Sequence, residues 1–171
     1  MPANEQPLED AISAARRICT LGIELSNQGK RAEALAQYAA VLSLFGKRRK
    51  PEFLRVIATA MFNTGTSLAA LERNEESVAA YDALIARFSK SDEPTMAAYV
   101  VQAMRNKAYR LNTLGRSAQS IATYEALVKQ FGKHPDSTIA EYIAPVKTFL
   151  ADRQDTLDAQ KQTTRTQSGK A

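Results

Sequence analysis

The chain is poor in the residues on which many catalytic and metal sites depend. Its 171 residues include one cysteine, Cys19, one histidine, His134, and no tryptophan. A single cysteine excludes an internal disulfide, and one cysteine and one histidine far apart in sequence do not indicate a catalytic dyad or a Cys/His metal cage. No glycine-rich loop of a phosphate-binding type is present. We therefore predict a protein that is not an enzyme and has no catalytic residue, metal or cofactor.

Long apolar segments are also missing. No stretch approaches the roughly 18 apolar residues that span a bilayer. The polar residues 1–7 are not followed by the apolar region of a secretory signal. A single cysteine fits a reducing compartment. These features predict a cytoplasmic protein that does not bind membranes.

Glycine and proline are scarce, with seven and six residues, whereas Ala, Leu, Glu, Lys and Arg are abundant. This composition favours helix nearly everywhere. Hydrophobic residues make up 44% of the chain and charged residues 24%, as in ordinary soluble globular proteins. The length suits one domain with a substantial core. A net charge of +5 gives a slight preference for anionic partners.

What the chain does contain is an internal repeat. Tyr38, Tyr81 and Tyr124 follow one another at intervals of 43 residues, and the segments around them are alike: AEALAQYAAVLSLF, EESVAAYDALIARF and AQSIATYEALVKQF. Their apolar residues recur with the spacing of one helix face. A fixed period of tens of residues is typical of a solenoid, in which each unit buries its apolar face against the next.

Each repeat divides into two helices, A and B, joined by a short turn that makes an antiparallel hairpin. Gly29 and Gly115 suit the left-handed end of helix A, and Asn74 and Ser117 suit the N-cap of helix B. A fourth helix A without a helix B would cover the open end of the stack. The predicted repeat domain spans residues 8–150, with repeats at 8–50, 51–93 and 94–137, a capping helix at 138–160 and a disordered polar tail at 161–171.

Small residues and aromatics within these helices resemble the tetratricopeptide repeat. Gly22, Gly65 and Ala108 hold the small position of helix A, and the three tyrosines follow 16 residues later. Ala34, Ser77 and Ser120 hold the small position of helix B. The period is longer than the family's usual repeat of about 34 residues, which is similar to a longer-period bacterial variant. The resemblance implies an all-α, right-handed superhelical solenoid of about three and a half repeats, with the tyrosines as buried spacers between hairpins.

The resemblance also implies a non-catalytic scaffold that binds an extended peptide or a helix in its concave groove. Exposed positions of the A helices line that groove in the family. On this sequence we expect the groove to be formed by Arg16, Thr20, Asn27, Phe62, Asn63, Thr66, Gln102, Arg105, Asn106 and Tyr109. Asn63 and Asn106 stand where family members often hydrogen-bond a peptide backbone, since an amide donates and accepts at once. The alternative is that both amides make local hydrogen bonds between helices.

Two further readings of the surface remain open at this point. The repeats could stack against other copies of the chain and give a homo-oligomer or a subunit of a larger assembly. The cluster Lys47–Arg48–Arg49–Lys50 could bind nucleic acid or an acidic partner. Such a cluster is more often a solvated loop, and the interleaved aromatics that favour nucleic acid are few. We therefore expect a protein or peptide partner, which would include an acidic one, in preference to nucleic acid.

Overall fold

The computed structural model describes residues 6–91 and 94–168. These residues form seven helices and no strand: α1 (Gln6–Asn27), α2 (Arg31–Phe45), α3 (Pro51–Ala70), α4 (Asn74–Phe88), α5 (Pro94–Thr113), α6 (Ser117–Phe131) and α7 (Ser137–Ser168). The predicted all-α fold is confirmed. α1, α3, α5 and α7 are the A helices, and α2, α4 and α6 are the B helices. The domain boundaries themselves stay a prediction.

The helices stack as hairpins in chain order. Each A helix contacts the A helix of the next hairpin, whereas the B helices contact A helices on both sides and not one another within the described residues. The A helices therefore form a continuous layer, which we call the A-helix face. The buried core runs along the whole stack, from Ile12 in α1 to Val146 in α7, as the burial logic of a solenoid requires.

The turns between A and B helices end each A helix in a left-handed residue. Gly29 and Gly115 have φ angles of 80° and 73°, and Glu72 takes the equivalent place with φ 59°. The amide of the following residue then bonds the carbonyl five residues back, for example Lys30 N to Leu25 O at 2.9 Å. This is the Schellman arrangement that satisfies helix-end carbonyls. The prediction for Gly29 and Gly115 is confirmed.

The predicted caps of the B helices are wrong. Asn74 and Ser117 are the first helical residues, and Arg73 and Arg116 hold the cap positions without a side-chain cap hydrogen bond. The left-handed turn leaves only one residue before the helix resumes, so the cap falls on arginine. Their guanidinium groups bond the side chains of Glu76 and Gln119 instead. At α7 a side-chain cap is present, since Asp136 Oδ1 accepts a hydrogen bond from Thr138 N at 2.8 Å.

Glycine in helix A lets the tyrosine of helix B lie against the helix backbone. A Cβ atom at Gly22 would come within 2.6 Å of the Tyr38 ring, and one at Gly65 within 2.5 Å of the Tyr81 ring. Those two rings are 0% and 1% exposed. The prediction of buried spacers is confirmed for both.

Tyr124 is different, and the prediction that it is a buried spacer is wrong. The small position of helix A is held here by Ala108 in place of glycine. The ring of Tyr124 is only half-buried and packs edge-on against Phe149 of α7, with ring centroids 5.5 Å apart. Ser120 still donates to the Ala108 carbonyl at 2.7 Å, as Ser77 does to Gly65 at 2.8 Å. The two helices therefore keep their contact, and the tyrosine ring alone takes a different place.

The last helix is longer than the sequence suggested. α7 continues to Ser168, so residues 161–168 are helical where a disordered polar tail was expected, and residues 169–171 of that tail lie outside the described part. The predicted capping helix ended at residue 160. The segment is polar, but it contains no glycine or proline between Pro145 and Gly169, and nothing in it interrupts a helix.

Candidate functional site

The residues predicted to line a groove lie on α1, α3 and α5, along the A-helix face. Their exposure changes along the stack. The three on α1 are exposed, namely Arg16, Thr20 and Asn27. Six on α3 and α5 are half-buried, namely Phe62, Asn63, Thr66, Gln102, Arg105 and Asn106, and Tyr109 is 56% exposed. The predicted residues in the middle of the face are therefore less exposed than those at its N-terminal end.

An aromatic cluster joins α3, α4 and α5 beneath this face. The Phe62 ring lies 5.9 Å from the Tyr81 ring and 6.4 Å from the Tyr99 ring, centroid to centroid. The hydroxyl groups of Thr59 and Tyr99 are 2.7 Å apart and share a hydrogen bond between neighbouring A helices. Phe62 thus connects the core to the face, and it offers a ligand only one side of its ring.

The two asparagines predicted to bind a peptide backbone differ in their surroundings. Asn106 Nδ2 donates to the Tyr81 hydroxyl at 3.2 Å, and its Oδ1 accepts no hydrogen bond within the described residues. Burial raises the pKa of Tyr81, and this hydrogen bond lowers it in part. Asn63 makes no side-chain hydrogen bond in the same part of the chain. The local hydrogen bond proposed as an alternative thus exists for Asn106 and not for Asn63, whose whole amide is available.

The structure does not bring all predicted residues together. Arg16 lies at the N-terminal end of the stack, in a depression of about 500 Å³ shared with Lys50 and Glu52. Gln102 lines a second depression of about 500 Å³ with Arg55, Tyr99 and Ile139, between α3, α5 and the start of α7. Five predicted residues line neither of these depressions nor the third one described below: Thr20, Asn27, Phe62, Asn63 and Thr66.

A third depression, which we call the cap pocket, has a volume of about 450 Å³ and lies between α5, α6 and α7. Helix α5 contributes three predicted residues and one that was missed: Arg105, Asn106, Tyr109 and Arg110. Helices α6 and α7 contribute four more that were missed: Tyr124, Pro145, Val146 and Phe149. Phe149 could have been found from the repeat, because it stands 43 residues after Asn106 and so takes the equivalent place on the next A helix.

The cap pocket combines aromatic surface with uncompensated positive charge. Phe149 is 47% exposed, and no aspartate or glutamate is among the lining residues. The Arg105 guanidinium lies 5.6 Å from the Tyr142 ring centroid, and that of Arg110 lies 4.3 Å from the Tyr109 centroid. Neither arginine forms an ion pair within the described residues. Burial raises the pKa of Tyr124, and the charge of Arg105 opposes that rise.

The basic cluster at residues 47–50 lies in the loop between α2 and α3, and all four residues are exposed. Arg48 lies over the Phe53 ring, 5.5 Å from its centroid. Arg87 donates to the Gly46 carbonyl at 2.7 Å at the base of this loop. Burial lowers the pKa of Arg87, and the charge of Arg49 lowers it further. The half-buried Arg87 thus connects the loop to the next hairpin.

The residues with chemical reactivity are placed as structural groups. Cys19 is buried in α1, and burial raises the pKa of its thiol to about 11, so it stays protonated at neutral pH. Over residues 6–91 and 94–168, no three His, Cys, Asp or Glu side chains converge as metal ligands. No helix in that part of the chain is both long and apolar enough to cross a membrane.

Comparison with known proteins identifies one family. A family model described as tetratricopeptide repeat matches residues 19–92, which cover most of the first two hairpins. The match does not bear on the 43-residue period. No curated protein matches the chain. Repeats of this family generally mediate protein–protein interactions and are generally non-catalytic scaffolds.

Proposed function

Because the chain is a tetratricopeptide-repeat-like protein, we propose that it is a non-catalytic scaffold that binds an extended segment or a helix of a partner protein along the A-helix face. The observation that carries this proposal is the pair of equivalent amides on neighbouring A helices. Within the part of the chain that the structure describes, the Asn63 amide makes no side-chain hydrogen bond, and Asn106 donates to the Tyr81 hydroxyl while its Oδ1 accepts none. Together they offer a peptide backbone both donors and acceptors in one row.

The partial burial of the side chains in the middle of the face supports the same proposal. Half-buried side chains of α3 and α5 lie there beside the exposed ring of Tyr109. A peptide that lies across them would bury apolar surface around Phe62 while its backbone bonds the amides. Apolar contact gives affinity there, and the amides fix the orientation of the chain.

The proposal is tested with a display library of random linear peptides selected on the purified protein. We expect selected peptides to bind Asn63→Ala about three- to tenfold more weakly, since one hydrogen bond is lost. Asn63 has no intramolecular hydrogen bond to lose, so the melting temperature should stay unchanged. Fluorescence anisotropy measures the affinity and circular dichroism the melting curve.

The matched control is Gln28→Ala, which removes an exposed amide from the α1–α2 turn. It should bind the selected peptides like the unaltered protein. If the selected peptides bind Asn63→Ala and the unaltered protein equally well, the proposed site is wrong. If the selection yields no peptide that binds, the proposed activity itself is rejected.

A second candidate function is self-assembly through the N-terminal end of the stack, and two exposed leucines favour it. Leu21 and Leu44 stand at the repeat positions of Lys107 and Arg87. In the later hairpins those residues contact the preceding one, through Asp82 and the Gly46 carbonyl. The first hairpin thus carries apolar side chains at positions that elsewhere bind a neighbour.

Sedimentation velocity tests this second candidate. If the end associates, the protein should form oligomers whose population rises with concentration, and Leu21→Lys with Leu44→Arg should return it to a monomer. The two replacements copy the residues at the equivalent positions of later repeats, so the hairpin should fold normally. A protein that is monomeric at every concentration would eliminate self-assembly through this end.

A further inference from the structure

The cap pocket combines two features. First, two aromatic rings, those of Tyr124 and Phe149, line an opening to solvent. Tyr38 and Tyr81 lie against Gly22 and Gly65, whereas Tyr124 packs against Phe149 of α7. The third hairpin and α7 therefore leave a recess between them where the first two hairpins are closed.

The second feature is positive charge that forms no ion pair within residues 6–91 and 94–168. Two guanidinium groups, those of Arg105 and Arg110, border the recess. Arg110 makes one long hydrogen bond of 3.4 Å to Asn74 Oδ1, and both arginines lie over tyrosine rings, which holds them near the opening. Guanidinium groups held on aromatic faces remain able to bind carboxylates through their outer N–H groups.

From this juxtaposition we infer that the cap pocket is a specificity subsite for an acidic segment of a partner protein. The segment inserts one large apolar side chain between Tyr124 and Phe149, and its carboxylates bind Arg105 and Arg110. The positive charge of the pocket favours an acidic segment. The two guanidinium groups repel a basic segment, whereas carboxylates would neutralise them. The pocket volume of about 450 Å³ is sufficient for a large side chain.

The inference rests on the proposed function, since the pocket opens at the C-terminal end of the same face. It adds the chemistry of the partner and the end of the groove at which that chemistry is recognised. Asn106 belongs to both sites. A peptide backbone bonded to its Oδ1 would therefore have a neighbouring side chain within reach of the recess.

The test uses a fluorescein-labelled peptide with both ends capped, in which one phenylalanine is flanked on each side by two acidic residues. We expect it to bind the full chain at low ionic strength. The same peptide with alanine for phenylalanine, or with lysines for the acids, should bind at least about tenfold more weakly. The double variant Arg105→Ala with Arg110→Ala should bind the acidic peptide more weakly than the unaltered protein, by a similar factor.

Two further double variants distinguish the loss of the arginine contacts from the loss of the folded structure. Arg17→Ala with Arg153→Ala removes the same net charge from exposed positions outside the pocket and should leave binding unchanged. Arg105→Glu with Arg110→Glu should reverse the preference, so that the lysine peptide binds better than the acidic one. A reversal requires a folded pocket, and circular dichroism checks that each variant is helical.

The result that overturns the inference is equal binding of the acidic peptide to the Arg105/Arg110 and Arg17/Arg153 alanine variants, or no binding at all. The groove proposal fails in a different way. If library-selected peptides depend on Asn63 but not on Arg110 or Phe149, the cap pocket is not a subsite and the groove proposal stands. If the acidic peptide binds through the arginines while no peptide depends on Asn63, the groove proposal fails and the pocket stands.

Discussion

The second hairpin, α3–α4, and the third, α5–α6, have the same helix lengths, the same turn and a tyrosine at the same position, yet they present different surfaces. In the second, Tyr81 lies on Gly65 and is part of the core. In the third, Ala108 replaces the glycine, and Tyr124 lies at the edge of a pocket. We expect the additional methyl group of Ala108 to contribute to this difference. Equivalent repeat positions therefore place the side chain at the same point of the helix, but the surrounding residues determine whether that side chain is buried.

The largest expected contrast comes from removing each tyrosine ring. Tyr81→Ala should lower the free energy of unfolding by about 3–5 kcal/mol, because it leaves a cavity in the core and removes the hydrogen-bond acceptor of the Asn106 amide. Tyr124→Ala should cost only about 1–2 kcal/mol, since the ring is half-exposed and loses chiefly its contact with Phe149. Urea unfolding followed by circular dichroism measures both. Equal losses would show that Tyr124 is as much a core residue as Tyr81.

A smaller contrast is expected from exchanging the residues beneath the rings. In Gly65→Ala the new methyl group would lie 2.5 Å from the Tyr81 ring. Overpacking should cost about 1–3 kcal/mol, offset by up to ~1 kcal/mol from the better helix propensity of alanine. The reverse change, Ala108→Gly, should shift the unfolding free energy by no more than about 1 kcal/mol, because lost propensity is balanced by burial of Tyr124.

NMR of protein with labelled tyrosine rings shows where each ring lies in these two variants. We expect the Tyr124 ring signals of Ala108→Gly to move toward those of Tyr81 as the ring settles on the helix. If Tyr124 keeps its position, then Phe149 and α7 hold the ring, and the methyl group of Ala108 does not. A Gly65→Ala variant as stable as the unaltered protein would show that the Tyr81 ring can move aside.

Much of the fold could be predicted because its signals are local or periodic. The left-handed residues at Gly29 and Gly115 were identified from single positions. The caps at Asn74 and Ser117 were assigned wrongly, because a favourable residue type was available one position too late. Disorder was expected at residues 161–171 because the segment is polar. Polarity indicates that a segment is exposed, but it does not distinguish an exposed helix from coil.

The candidate site was predicted less completely, because it depends on which helices meet. Asn63 and Asn106 are equivalent in sequence, but only Asn106 reaches a tyrosine hydroxyl. Arg105, Asn106 and Tyr109 were expected on the face, whereas Arg110, Tyr124 and Phe149 came from the structure. These residues are distant in the chain and meet only when α7 packs against α5 and α6.

The sequence by itself determined that this protein is a stack of helix hairpins, which helix of each hairpin is A or B, and where the small and aromatic residues recur. Those features follow from apolar periodicity and turn residues, which act over a few neighbouring positions. Only the tertiary structure decided that Tyr124 departs from the buried position predicted for all three tyrosines and lines a pocket. The reason is that the ring packs against Phe149, which lies far from it in the chain and comes close only when α7 packs against α5 and α6.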